Sequence, residues 1–320
     1  MLLEERMLRR IKLRDLRILS SVVQHGSMGK AARALAISQP AVSMAISDIE
    51  QTLGVRLLDR TPQGVEATAC GHIVVKWSFA IFDDLRQAAR EIDLVGDPTA
   101  GEVRIGSTEP MTAGLVAAVI DRLTKKYKRL NLQVTHAPTL RAQYQDLRER
   151  NVDLILGRMV PAEVDNDLRS EILFDDPLFI VAGANSKWAR RRRVDPAELL
   201  EEPWALPSYT DAFVGSRVAE AFRACGLEPP RRTVSSSSIQ LFVALMATGR
   251  FLSLLSGSTM RFSGKRLGIT TVPVAFPLRS GPVGILTLQN RTLSAAAQLF
   301  VTCAREVARP LADRAPKLLS

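Results

Sequence analysis

The pattern of hydrophobic and polar positions divides the chain near residue 96. Before that point apolar residues recur at helical spacing; after it, short apolar runs alternate with helical segments. Leu13, Leu16, Leu19 and Val22/Val23 outline a first amphipathic helix that closes near His25-Gly26. Gly26 suits the left-handed position that ends a helix, and Ser27 suits the cap of the next one, over about 28–35. Ala31 and Ala32 on that short helix leave room for a neighbour to approach closely. After "AIS", Ser38 caps a third helix with Pro40 in its first turn, and Gly54 ends it. Val42, Ile46, Ile49 and Leu53 form its apolar stripe. Its opposite side carries Pro40, Ser43, Met44, Ser47 and Gln51, where an ordinary surface helix would carry Lys, Glu and Arg.

Two short helices joined by a tight turn, the second with a neutral polar face, are the outline of a helix-turn-helix. A recognition helix must enter a major groove about 12 Å wide, and long charged side chains along the whole face would crowd it. Short hydroxyls and amides bond bases and phosphates directly, and Gln39 near the helix start can pair with adenine. The same residues would equally serve as plain solvent cover, so this pattern alone leaves both readings open. The segment after the third helix adds weight to the first: "VRLLDRTPQGVEATACG", residues 55–71, holds two short extended pieces around Thr61-Pro62-Gln63-Gly64, the outline of a wing. Arg60 and Gln63 would meet the DNA backbone or minor groove from it. A long helix over about 69–95 places Val74, Trp77, Ile81, Leu85, Ala88, Ile92 and Val95 at spacings of 3, 4, 4, 3, 4 and 3, close to a heptad seam. Such a seam suits a second copy of the chain or the helix's own domain.

Residues 96–101 read as a hinge. Beyond them "EVRIG", "LQVTH", "VDLILG", "PLFIVAG", "RTVSS", "FLSLL" and "VGILTL" read as strands separated by helices, which implies α/β layers with mainly parallel sheets. Ser107-Thr108 and Pro138-Thr139 fall where a strand leads into a helix, and Ser208 and Ser236-Ser237-Ser238 fall at similar places later. Hydroxyls and helix N–H groups there can hold an anion or polyol, although helix caps need the same residue types.

Composition narrows the class. The 320 residues are 46% hydrophobic and 24% charged, enough for two or three packed domains. Net charge is +10, which favours a nucleic-acid partner. Residues 1–96 carry only +2 of it, however, and the run Arg190–Arg193 reads as a solvated helix face. The three cysteines, Cys70, Cys225 and Cys303, are far apart and lack any metal or disulfide spacing. No signal-peptide core is evident in "MLLEERMLRR", and no apolar stretch reaches the roughly 20 residues of a membrane span. The expectation is a cytoplasmic protein without a membrane partner.

Catalysis finds little support. His25, His72 and His136 are isolated, and nucleophile elbow, phosphate loop and dinucleotide fingerprint are all missing. The pairs Asp83-Asp84 and Asp175-Asp176 read as solvated or capping carboxylates. No catalytic residue, metal site or cofactor is expected.

Residues 13–75, through "GSMGKAARALAISQPAVSMAISDIEQTLGVRLLDR" and "ATACG", resemble the DNA-binding domain of LysR-type transcriptional regulators without a gap. The remaining 220 or so residues resemble that family's effector domain more loosely, through "VDLILG" and the order of elements. The resemblance implies an N-terminal all-α winged helix-turn-helix over 1–68, a linker helix over 69–95 and a C-terminal α/β effector domain over 102–320. That domain would have two subdomains like those of a periplasmic solute-binding protein, at 102–174 with 275–320, and at 175–274. It further implies promoter DNA as a partner, contacted by Ser27, Ser38, Gln39, Pro40, Ser43, Met44, Ser47, Arg60 and Gln63. A homodimer or homotetramer would form through Trp77, Ile81, Leu85 and Ile92. A small-molecule effector would lie on Ser107, Thr108, Thr139, Ser208 and Ser237, and RNA polymerase would be a partner of an activator. The likeness leans toward sugar-responsive members. Two positions depart from the family pattern: Met44 replaces the usual Arg or Gln of the recognition helix, and Leu58 replaces a Phe. The competing reading is a solute-binding protein or α/β enzyme whose N-terminal helices serve assembly.

Overall fold

The structure, a computed structural model, describes residues 3–61, 64–93, 101–137, 139–160, 164–206, 213–230, 233–278 and 281–312. It divides into two compact units at Ile92 and Asp93.

The first unit holds α1 (Leu3–Arg10), α2 (Leu13–His25), α3 (Met28–Ala34), α4 (Gln39–Leu53), the hairpin β1 (Leu58–Thr61) and β2 (Gly64–Ala67), and α5 (Ala69–Asp93). Helix α1 was not expected from apolar spacing, since it buries no side chain; Glu4 and Glu5 in its first turn and Arg9 and Arg10 in its last suit the helix dipole instead. The core joins Ile18, Leu19 and Val22 of α2 to Ala31 and Ala32 of α3, Val42, Ile46 and Ile49 of α4, and Leu57 and Leu58 at the hairpin base. Full burial of each large apolar side chain contributes about 1.5–3 kcal/mol. Gly26 ends α2 at φ 62, and its carbonyl accepts from the Val65 amide at 2.9 Å. That contact stitches β2 onto the end of α2. A Cβ on Gly64 would lie 2.5 Å from the same carbonyl oxygen, so only glycine permits the approach.

The second unit contains two sheets. The first has strand order β4-β3-β5-β12-β6, from β3 (Gly101–Ser107), β4 (Leu130–His136), β5 (Leu154–Arg158), β6 (Leu168–Asp176) and β12 (Gly281–Leu288). The second has order β11-β7-β10-β8-β9, from β7 (Leu178–Gly183), β8 (Trp204–Leu206), β9 (Thr233–Ser235), β10 (Leu252–Ser256) and β11 (Ile269–Thr271). Neither sheet is mainly parallel. Strand β3 pairs parallel with β4 and β5, but β12 runs antiparallel to β5 and β6. Likewise β8 pairs parallel with β9 and β10, whereas β7 runs antiparallel to β10 and β11. The chain passes from one sheet to the other at Pro177 and returns before β12, and a returning strand enters its sheet from the opposite end.

Helices pack on both sheets: α6 (Glu109–Met111), α7 (Ala117–Lys126), α8 (Leu140–Arg148), α9 (Phe213–Ala224), α10 (Ile239–Ala247), α11 (Gly257–Thr259) and α12 (Ala295–Ala312). A π-helical turn, Thr112–Val116, joins α6 to α7, and another, Met260–Gly264, follows α11. The two turns pack on each other and hold the subdomains together. Thr259 Oγ1 donates to the Pro110 carbonyl at 3.0 Å, and Ser263 Oγ donates to the Ala113 carbonyl. A Cβ on Gly114 would come within 2.8 Å of Thr259 Cα, so this approach also depends on glycine. Among the described residues, no helix is long and apolar enough to cross a membrane.

Candidate DNA interface and effector cleft

Helix α4 turns Val42, Ala45, Ile46, Ile49 and Leu53 inward. That leaves Gln39, Pro40, Met44 and Ser47 exposed on the other side, with Ser43 half-buried beside them. Met44 is 66% exposed, too open for a core residue. Ser38 Oγ accepts from the Ala41 amide at 3.3 Å and Ser27 Oγ from the Lys30 amide at 3.4 Å, so both serines cap the helices they precede. Gln39 reaches back over the first turn of α3, where a Cβ on Gly29 would lie 3.3 Å from its Oε1. Glu50, also on α4, turns away from the open face. Its Oε1 accepts from the Leu57 amide at 2.7 Å and the Leu58 amide at 3.2 Å, bracing the base of the hairpin. The backbone of Arg60 pairs with Val65 in the hairpin; its side chain, like the whole of Gln63, lies outside the described residues.

Along α5, Trp77 is 60%, Ile81 37%, Leu85 45% and Ile92 70% exposed. Ile73 is exposed on the same face, one turn before Trp77, and the heptad reading missed it by starting at Val74. Val74 instead packs partly against the head's core. Asp83 corrects an expectation: its side chain is buried, with Arg86 Nη2 3.7 Å away, and is not a solvated carboxylate. The run Arg190–Arg193 is exposed as expected, but it spans the end of a single 3-10 turn and an extended stretch instead of a helix face.

In the second unit the hydroxyl residues separate. Ser107 is fully buried, and its Oγ donates to the Leu156 carbonyl at 2.7 Å. This corrects its expected place on a ligand, because its proton is spent between adjacent strands. Thr108, half-buried, precedes α6 without capping it; its carbonyl accepts from the Thr112 amide and hydroxyl, both at 2.9 Å. Thr139 Oγ1 caps α8 by accepting from the Ala142 amide at 3.1 Å. Pro138 and Ser208 lie outside the described residues. Ser237 is exposed between Ser236, which accepts from the Ser238 amide, and Ser238, which caps α10 on the Leu241 amide.

Three features escaped sequence reading. Glu109 Oε2 accepts from the Ile239 amide at 2.9 Å, linking the first turn of α6 to the first turn of α10 across the subdomains. Gln143, 1% exposed on α8, has neither amide atom hydrogen-bonded. Asp176, expected to be solvated or capping, is buried beside Arg158 at the crossover, while its neighbour Asp175 stays exposed.

Asp153 accepts from Arg104 Nη2 at 2.6 Å, the Arg104 amide at 2.8 Å and Arg291 Nη2 at 2.8 Å. Burial alone would raise its carboxyl, but these bonds and the two guanidinium charges hold it below the usual carboxylate range. Burial pushes the Cys303 thiol up, and its Sγ lies 3.6 Å from the Val119 carbonyl, the reverse of what a reactive thiolate requires. No cluster of metal-ligating side chains occurs among the described residues.

Residues 13–72 match the bacterial regulatory helix-turn-helix protein, lysR family, and residues 96–309 match the LysR substrate binding domain. The chain belongs to the LysR family. Over 298 residues it is 28% identical to the HTH-type transcriptional regulator GbpR of Azospirillum brasilense, spanning 92% of this chain and 86% of that protein. The fold matches full-length OxyR from Pseudomonas aeruginosa with a TM-score of 0.65 at 22% identity, covering 96% and 99% of the two chains. It also matches full-length CbnR complexed with its target DNA, with a TM-score of 0.63 at 19% identity over 93% and 100%. This LysR-family chain is therefore a DNA-binding transcriptional regulator with a C-terminal effector-binding domain, and not an enzyme. The assembly-segment reading of its N-terminal helices falls with that result.

Proposed function

We propose that this regulator reads its promoters through the exposed side of α4, with Gln39, Ser43, Met44 and Ser47 toward base edges. Ser27, Ser38 and Pro40 lie at the phosphate-facing helix starts, and Arg60 and Gln63 on the wing contact the DNA backbone. The observation that carries the reading is the exposed side of α4, where Gln39, Ser43, Met44, Ser47 and Gln51 are uncharged and Asp48 is the single exposed carboxylate, while the Glu50 carboxylate is turned into the hairpin base. Two heads act together, linked in a homodimer or homotetramer by the apolar face of α5 through Trp77, Ile81, Leu85 and Ile92. The protein works in the cytoplasm, and as an activator it would contact RNA polymerase.

The effector of this reading is a neutral, hydroxyl-rich molecule of the sugar class. The character of Thr108, Thr139 and Ser237 supports it, together with Ser208 outside the described residues; Ser107 backs Thr108 from inside the sheet. Genome-wide mapping of bound sites, followed by titration of promoter anisotropy with the sugars handled by the neighbouring operons, tests both parts. Each lost hydroxyl bond costs about 1 kcal/mol, so Thr108→Val with Thr139→Val shifts the inducing concentration about tenfold or more. Ligand-free promoter affinity stays at the wild-type level. An unchanged response would place the effector elsewhere.

A further inference from the structure

The contact between Glu109 and Ile239 spans 130 residues of sequence and joins the two subdomains. The first N–H groups of a helix have no partner within it and carry partial positive charge, so they draw anions. In α10 that position is taken. Ser238 Oγ satisfies Leu241, and the carboxylate of Glu109, delivered from α6 of the other subdomain, satisfies Ile239. Glu109 lies half-buried, with its Oε2 on the Ile239 amide.

We propose that Glu109 is the specificity-determining residue of the effector cleft. It serves as the domain's own anion at the start of α10, and so excludes carboxylate-bearing molecules from that position. An external carboxylate would have to displace a tethered one already in place, and would meet its negative charge at close range. The effector admitted beside Glu109 is therefore uncharged there, and its hydroxyl groups find a strong acceptor in the second carboxylate oxygen. This deepens the polyol reading and rests on it for the location of the cleft.

The test uses the full-length chain with acetate as the probe, and needs neither effector nor DNA. Hydrogen exchange of the 239–242 amides and thermal unfolding are followed against sodium acetate, with sodium chloride at equal ionic strength as control. In wild type, acetate does no more than chloride. In Glu109→Ala, protection at 239–242 falls several-fold, and acetate restores it saturably where chloride does not. Glu109→Gln keeps an oxygen acceptor and retains near-wild-type protection. If Glu109→Ala fails to fold, Glu109→Ser, which removes the carboxylate and its charge but keeps a small polar side chain, gives the same loss and the same rescue. Equal protection in all folded variants, or an acetate response as large in wild type as in the variant, overturns the proposal. Because no sugar enters the assay, this result stands apart from the outcome of the effector titration.

Discussion

Arg158 and Asp176 lie 3.7 Å apart where β5 and β6 reach the crossover, and both are almost fully buried. Arg158 Nη1 also donates to the carbonyls of Asp176 and Gly281, on the outgoing and returning strands. Asp176 in turn accepts from the Ser258 amide at 2.9 Å and the Ser258 hydroxyl at 2.6 Å, at the start of α11. One ion pair thus fastens both passages between the sheets to the second subdomain. Removing one partner strands the other charge in a dry site, at a cost of about 3–5 kcal/mol. Asp176→Ala is therefore expected to lower effector-domain stability by that amount in urea unfolding, while α2–α4 melt unchanged.

Asp153 makes stability depend on pH with a definite sign. Its folded carboxyl sits below the unfolded value of about 3.9. The stabilisation it provides is therefore complete above that value and lost as pH falls through the lower, folded one. Asp153→Asn should be markedly less stable than wild type at pH 7, and the gap should narrow as acid titrates the wild-type carboxylate. Urea midpoints at pH 7 and at several points below about pH 4 give the comparison; a gap that stays constant into acid would contradict the assignment.

At the DNA face, two substitutions should behave differently. Gln39→Ala is expected to cost about 1–3 kcal/mol on the cognate site and to relax preference at one base position. Arg60→Ala should weaken all sequences alike and reduce the salt slope by about one unit. Competition anisotropy with cognate and scrambled duplexes over a salt series separates the two; an unchanged cognate-to-scrambled ratio for Gln39→Ala would remove it from base reading.

For α5, Ile81→Glu with Leu85→Glu would put carboxylates into the proposed seam. Sedimentation velocity should show the oligomer dissociating, and promoter affinity should fall with the loss of linkage between heads. A sedimentation profile identical to wild type would move assembly to the effector domain.

Much of the head could be read from residues alone because its interactions are local. The α4 stripe, the caps Ser27 and Ser38, and Gly26 and Gly54 at the helix ends all act within one turn of their own positions. Ile73 and α1 were lost for opposite reasons: one began a periodic face a residue before the pattern counted, and the other buries nothing for a periodicity to report. In the effector domain the decisive partners are remote. Glu109 in "STEP" reads as an ordinary acidic residue in a first helical turn until α10 arrives beside it. Asp176 before a proline reads as a solvated or capping carboxylate until Arg158 and Ser258 enclose it. Antiparallel pairing of β12 reflects a chain that leaves and returns, a property of topology that no window of residues carries.

Glu50 binds the hairpin base to α4 through two backbone amides, so recognition helix and wing move as one piece. With α4 and the hairpin placed on DNA as proposed, such a head would work as a caliper, gauging the distance from a major groove to the neighbouring backbone as well as the bases between them. A duplex whose local twist or groove width differs from that span must be deformed before both parts can seat, and the deformation energy depends on sequence. Operators would then be selected partly by the stiffness of base pairs that no side chain touches.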